Sequence, residues 1–144
     1  MRLTKRLVLP VLFVLFFTAC PSGSDLDRAA KASQEISRDL VIANKVVAEF
    51  YVAGKIPLAK KDKIAAILGQ MGDKGNKFNE TLIALDVKYP QGTIPPENLS
   101  FLKANLSEIR GLLTAVFGEL LPFGAQSAVK SLDKHVTVIE GVVK

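Results

Sequence analysis

The feature that most constrains the fold is a spacing of apolar and small residues by alternating threes and fours, which recurs in four segments. In the first segment these residues are Leu26, Ala29, Ser33, Ile36, Leu40, Ala43, Val47 and Phe50. In the second they are Ile64, Leu68, Met71, Gly75, Phe78, Leu82, Leu85 and Tyr89. Residues spaced in this way line one face of an α-helix, so each segment is predicted to be an amphipathic helix.

The same spacing continues through two further segments near the carboxyl terminus. The third contains Leu99, Leu102, Leu106, Ile109, Leu113, Val116 and Leu120, and the fourth contains Val129, Leu132, Val136, Ile139 and Val143. Glycine and proline separate the segments, and short connections place successive helices side by side. A period near 3.5 residues favours left-handed, coiled-coil-like packing. The sequence therefore predicts an all-α domain over residues 25–144, an antiparallel up-down four-helix bundle with heptad-type packing.

Three glycines interrupt the second segment at steps of three residues: Gly69, Gly72 and Gly75. Each lowers helix stability by about 1 kcal/mol relative to alanine. One interpretation is a point where another helix approaches closely, and the other is a hinge or loop around residues 70–76. The unbroken heptad phase on both sides favours one continuous helix.

Residues 1–20 have the order of parts that is typical of an export signal. Arg2, Lys5 and Arg6 form a basic front, an apolar stretch follows over residues 7–17, and the segment ends at Cys20, the only cysteine. The apolar stretch is shorter than the roughly 20 residues that a membrane-spanning helix needs.

The last four residues of this segment, Phe-Thr-Ala-Cys, resemble the lipobox of bacterial lipoproteins. The resemblance implies that residues 1–19 are a cleaved signal peptide, and that Cys20 is acylated and anchors the protein to a membrane of the cell envelope, on the exported side. Phe17 stands where the lipobox usually has leucine. The alternative is ordinary cleavage near Ala19, which would leave a secreted protein with a free thiol. Pro21, in place of the aspartate associated with inner-membrane retention, favours the outer membrane where an organism has one.

Composition gives little sign of chemistry in the mature chain. Of 19 basic residues three leave with the signal, and the remaining 16 against 14 acidic residues give a net charge of +2, so no nucleic-acid partner is expected. His135 is the only histidine. One histidine is too few for the ligand set of a di-iron bundle, and no recognisable nucleophile motif lies beside it in the sequence. We therefore expect no catalytic residue, no metal and no cofactor, and a non-enzymatic protein.

The tether over residues 20–24 reaches at most about 17 Å, so the helical domain is expected to lie close to the membrane. The first helix then carries the chain roughly 45 Å away. In an up-down bundle the basic cluster Lys55, Lys60, Lys61 and Lys63 is distal to the membrane. It is interpreted either as a solvated helix start or as a contact patch for an acidic partner.

The membrane-proximal end offers a second candidate site. The fourth helix is predicted to be shorter than the others, which leaves either a narrow core around Ala29 and Ser33 or an open apolar groove. That groove would be lined by Leu85, Tyr89, Leu99 and Leu102 and would suit a lipid-like ligand. The predicted function is a membrane-anchored structural or protein-interaction module of the cell envelope; the alternative is a binder of a lipid or another hydrophobic ligand in this groove.

Overall fold

A computed structural model describes residues 23–90 and 94–144, so the signal segment and Cys20 lie outside the described residues. Four α-helices are present, α1 (Gly23–Val52), α2 (Leu58–Lys88), α3 (Pro96–Leu120) and α4 (Lys130–Val142). The described residues contain no β-strand. The prediction of an all-α domain with four helices is therefore confirmed. The segment predicted as a tether is already helical from residue 23.

The apolar positions predicted from the spacing form a single core. All of them are buried except three half-buried aromatic or leucine side chains at the margin, Phe50, Tyr89 and Leu99. The spacing therefore identified the buried face of each helix, because only positions on that face recur by threes and fours.

Two isoleucines outside the helices complete the core. Ile56, in the connection between α1 and α2, and Ile94, just before α3, are both almost fully buried. Each lies in a connection at one end of the helices, so the ends of the core are covered by loop residues. Neither position follows the helical spacing, and neither was predicted.

One glycine with left-handed backbone geometry follows α1, and another follows the short 3-10 helix that comes directly after α3. Gly54 and Gly124 have positive φ angles of 70° and 66°, which side chains disfavour. Beyond Gly54, the Lys55 N–H donates to the Phe50 carbonyl oxygen at 2.9 Å, so a carbonyl at the end of α1 is satisfied. After α3 the chain forms two short 3-10 helices, Leu121–Phe123 and Gln126–Val129, before α4. The fourth segment, whose spacing begins at Val129, is thus α-helical from Lys130.

The glycine-rich part of α2 is helical throughout, as the unbroken phase predicted. A Cβ atom built on Gly72 would lie 3.7 Å from Leu40 Cδ1, and one built on Gly75 would lie 3.8 Å from Ile36 Cγ2. Gly72 and Gly75 therefore face α1, and a methyl group at either position would be at ordinary van der Waals distance from it.

Each helix packs against the helices adjacent to it in the chain, and α4 also packs against α1. The seam between α3 and α4 is the least extensive of the four. α4 is the shortest helix, with 13 residues. Its position consequently depends mainly on α1 and on side-chain contacts with α3.

Candidate interaction surfaces

The lysine cluster, interpreted from the sequence as a solvated helix start or as a contact patch, lies at the end of the molecule where α1 ends and α2 begins. Two of its members are joined to the end of α3. Lys60 Nζ lies 2.6 Å from Glu119 Oε2, and Lys63 Nζ lies 2.6 Å from Glu119 Oε1. The hydrogen bonds from Lys60 and then Lys63 hold the pKa of Glu119 below its ordinary value. This carboxylate therefore stays ionised and compensates part of the charge of the cluster.

The other two lysines lie against aromatic rings of α1. Lys55 Nζ is 5.1 Å from the ring centroid of Phe50, and Lys61 Nζ is 5.1 Å from that of Tyr51. Lys61, whose side chain is 30% exposed, also forms an ion pair with Asp62, at 3.2 Å. Ion pairs between neighbouring surface residues contribute little free energy, so this pair holds Lys61 only weakly.

Large apolar side chains are exposed beside these lysines. Val52 closes α1 with 84% of its surface exposed, Leu121 follows α3 with 65% exposed, and Leu58 opens α2 half-exposed. The ion pair between Lys60 and Glu119 brings the start of α2 next to the end of α3. We call the set Val52, Lys55, Leu58, Lys61 and Leu121 the lysine-end surface. Exposed apolar side chains and lysines therefore lie at the same end of the molecule.

The predicted groove residues lie in or against the core. Leu85 and Leu102 are buried, while Tyr89 and Leu99 are half-buried and pack against the core cluster. Buried Ile94 lies at the same end. Three surface clefts of about 510–570 Å³ in the described chain are lined by other residues, one of them between α2 and α3 around Lys74 and Glu108. The small side chains Ala29 and Ser33 of α1 are buried at the same end as Leu85 and Leu102.

A buried polar pair that the sequence did not reveal joins α1 to α4. His135 Nδ1 lies 2.7 Å from Asp39 Oδ2, and only 7% of Asp39 is exposed. His135 is partly exposed. Asp39 follows Ile36 by three residues and precedes Ala43 by four, so the sequence indicates that it lies near the buried face. The sequence does not indicate its partner, because the two residues are 96 positions apart.

A second polar cluster joins α3 to α4 through one arginine. Arg110 donates through Nε to Glu140 Oε1 at 2.8 Å and through Nη2 to Glu140 Oε2 at 2.6 Å. It also donates to Thr137 Oγ1 at 3.0 Å and pairs with Asp133. Hydrogen bonding to Glu140, with a further contribution from Asp133, raises the pKa of Arg110 above its ordinary value. These salt bridges stabilise the packing of α4 against α3, where the contact between neighbouring helices is least extensive.

In the part of the chain that the structure describes, no helix is both long enough and apolar enough to cross a bilayer. Among the same residues, no group of three or more histidine, cysteine, aspartate or glutamate side chains is placed to hold a metal ion. The chain matches no protein-family model, no curated protein and no solved structure.

Proposed function

We propose that the protein is a lipid-anchored, non-enzymatic interaction module of the bacterial cell envelope. In this proposal, acylated Cys20 holds it on the exported side of a membrane, and the lysine-end surface binds an acidic protein partner. The observation that carries the proposal is the exposure of Val52, Leu58 and Leu121 together at one end, beside Lys55 and Lys61.

The proposed arrangement of the helices is an up-down-up-down bundle with heptad packing. It is supported by contacts in which residue numbers rise along one helix as they fall along the next. Ile36 and Leu40 of α1 lie opposite Gly75 and Gly72 of α2, respectively. Between α2 and α3, Lys60 pairs with Glu119, and Lys74 further along α2 pairs with the earlier Glu108. Burial at alternating steps of three and four supports the heptad packing.

The orientation relative to the membrane follows from the anchor. α1 begins at Gly23, three residues after Cys20, and its 30 residues extend about 45 Å. With the amino-terminal end of α1 held at the lipid, the lysine-end surface is presented outward. This position suits contact with a soluble or opposing envelope protein and is too remote for contact with the lipid that carries the anchor.

The partner is expected to present an apolar centre with acidic side chains around it. Val52, Leu58 and Leu121 would be covered in the complex, and Lys55 and Lys61 would face carboxylates at its edge. Such a division between an apolar core and a charged rim is usual at protein interfaces. The charged rim would fix the orientation and the rate of association more than the affinity.

The proposal is tested by photo-crosslinking in the native membrane. A photoreactive residue at Leu121 should form a cross-link to one discrete protein, whereas the same residue at Val41, which is similarly exposed on the middle of α1, should not. With the identified partner in purified form, Leu121→Asp should weaken binding by at least about tenfold, and Val41→Asp should leave it unchanged. Equal cross-linking at both positions, or equal affinity of both variants, would contradict the assignment of this surface.

The anchor is tested separately. Metabolic labelling with a fatty-acid analogue should label the wild-type protein and fail to label Cys20→Ala. Equal labelling of the two proteins would refute acylation at Cys20 and with it the orientation. The alternative function, a lipid or hydrophobic ligand in a groove at the other end, has less support, because Leu85 and Leu102 are already buried.

A further inference from the structure

A second group of exposed apolar side chains lies at the opposite end of the molecule, where α1 begins, α2 ends and α3 begins. Val87 is 76% exposed, Phe101 is 55% exposed and Ile83 is about half-exposed. Ile83 and Val87 are four residues apart and share one side of α2, and Phe101 lies on α3. These side chains are not part of the lysine-end surface, so the proposed protein contact does not account for their exposure.

The length of chain between the anchor and α1 limits where this end can lie. Gly23 is three residues after Cys20, so even a fully extended chain places the two only about 10 Å apart. This step rests on the proposed acylation of Cys20. If it holds, the start of α1 lies within about 10 Å of the acylated residue, and the end of the molecule formed by α1, α2 and α3 faces the lipid surface.

The exposed apolar residues are close enough to that end to reach lipid. Val87 is one residue from the end of α2, while Ile83 is five residues, or about 7.5 Å, from it. Phe101 is likewise five residues, or about 7.5 Å, after the start of α3. The headgroup region of one leaflet is about 5–7 Å thick. All three side chains therefore lie at a depth that a modest tilt of the helices would bring into the headgroup layer.

We propose that Ile83, Val87 and Phe101 form a lipid-contact face that rests on the phospholipid layer in which the acyl chains of Cys20 are inserted. Apolar and aromatic side chains that lie at the boundary between headgroups and acyl chains are typical of proteins bound at a membrane surface. Tyr89, half-buried at the same end, has Lys88 Nζ 5.3 Å from its ring centroid, which adds an aromatic residue and a cation suited to the interface.

The charges around this face indicate an apolar contact and not an attraction to anionic lipid. Glu80 and Asp86 are exposed on the same part of α2 as Lys88, so the local charge is mixed. The anchor already holds the domain at the surface, so the contact need not recruit the protein by its own affinity. Because the three side chains project from the sides of α2 and α3, the contact inclines the domain toward the lipid on the α2 side.

The test uses the full, lipidated protein reconstituted into phosphatidylcholine vesicles whose acyl chains are brominated near the headgroup. The chain contains no tryptophan, so each substitution introduces a single fluorescent reporter. Val87→Trp and Phe101→Trp report on the lipid-contact face. Leu121→Trp is the matched control, since Leu121 is equally exposed but lies at the lysine end.

We expect the tryptophans at positions 87 and 101 to be quenched at least about threefold more than the tryptophan at position 121. Adding Ile83→Glu to the Phe101→Trp protein should reduce that quenching, while adding Val41→Glu should not. Equal quenching at all three positions, in protein that floats with the vesicles, would overturn the lipid-contact face and leave the anchor intact. Protein that carries Cys20 but fails to float would overturn the anchor, and the lipid-contact face with it.

Discussion

Replacing the glycines of α2 by alanine should make the protein more stable, and the structure allows the gain to be calculated. Glycine is less favourable than alanine inside a helix by about 0.8–1 kcal/mol. A Cβ atom at Gly69 would meet nothing within 4 Å, and Cβ atoms at Gly72 and Gly75 would lie 3.7 and 3.8 Å from side chains of α1. Since none of these contacts is a clash, each substitution should raise the free energy of unfolding by about 0.5–1 kcal/mol.

The three substitutions together should contribute about 2 kcal/mol, which corresponds to a rise in Tm of roughly 8 °C for a domain of this size. The assay is urea and thermal unfolding followed by far-UV circular dichroism. Gly69→Ala is the control on the same helix, because its methyl group has no neighbour on α1. If Gly69→Ala stabilises the protein while Gly72→Ala or Gly75→Ala destabilises it, α1 and α2 approach more closely than the structure indicates, or α2 must bend there. Either outcome refutes the reasoning.

Substitutions at three further residues test the polar contacts that join the helices. Arg110→Ala should lower the free energy of unfolding by about 1–2 kcal/mol, because it removes partly buried salt bridges to Glu140 and Asp133. An unchanged urea midpoint would show that these salt bridges do not stabilise the packing of α4. Asp39→Ala should cost about 1–3 kcal/mol by leaving the half-buried His135 without its partner, and Asp39→Asn should cost less; equal losses would argue against the hydrogen bond as the cause. Because the pKa of Glu119 is lowered in the folded protein, its contribution is present above the ordinary carboxyl value of 4.5 and is lost as the pH falls below it. Glu119→Gln should therefore narrow the difference in stability between neutral and acidic solution, measured by urea unfolding at both pH values, and an unaltered difference would contradict the shift.

The buried faces of the four helices were predictable because they depend only on local geometry. A residue on a helix faces the same direction again three or four positions later, whatever the helix packs against. For the same reason the uninterrupted phase through Gly69, Gly72 and Gly75 predicted a continuous helix. Ile56 and Ile94 could not be found in this way, because a single apolar residue in a connection has no period.

The polar contacts were missed for a different reason. Arg110 meets Asp133 and Glu140, and Asp39 meets His135, only when two helices lie in one particular register. Apolar periodicity identifies the face of a helix but leaves its longitudinal position open. The same limit applies to the lysine cluster. The lysines are close together in the sequence and could be identified there, but their ion pairs with Glu119 of α3 could not.

That compensation changes what is expected to determine affinity at the lysine-end surface. Glu119 and Asp62 compensate two of the four positive charges of the cluster, and an exposed charge pair contributes only about 0.2–1 kcal/mol. Full burial of a leucine contributes about 1.5–3 kcal/mol. Leu121→Asp should therefore weaken binding of the proposed partner more than Lys61→Glu does. The dissociation constant should also rise only a few-fold between low and physiological salt, because the partly compensated charge of the cluster offers little to screen. A steeper dependence on salt, with Lys61→Glu the more damaging substitution, would mean that charge and not apolar burial determines affinity at this surface.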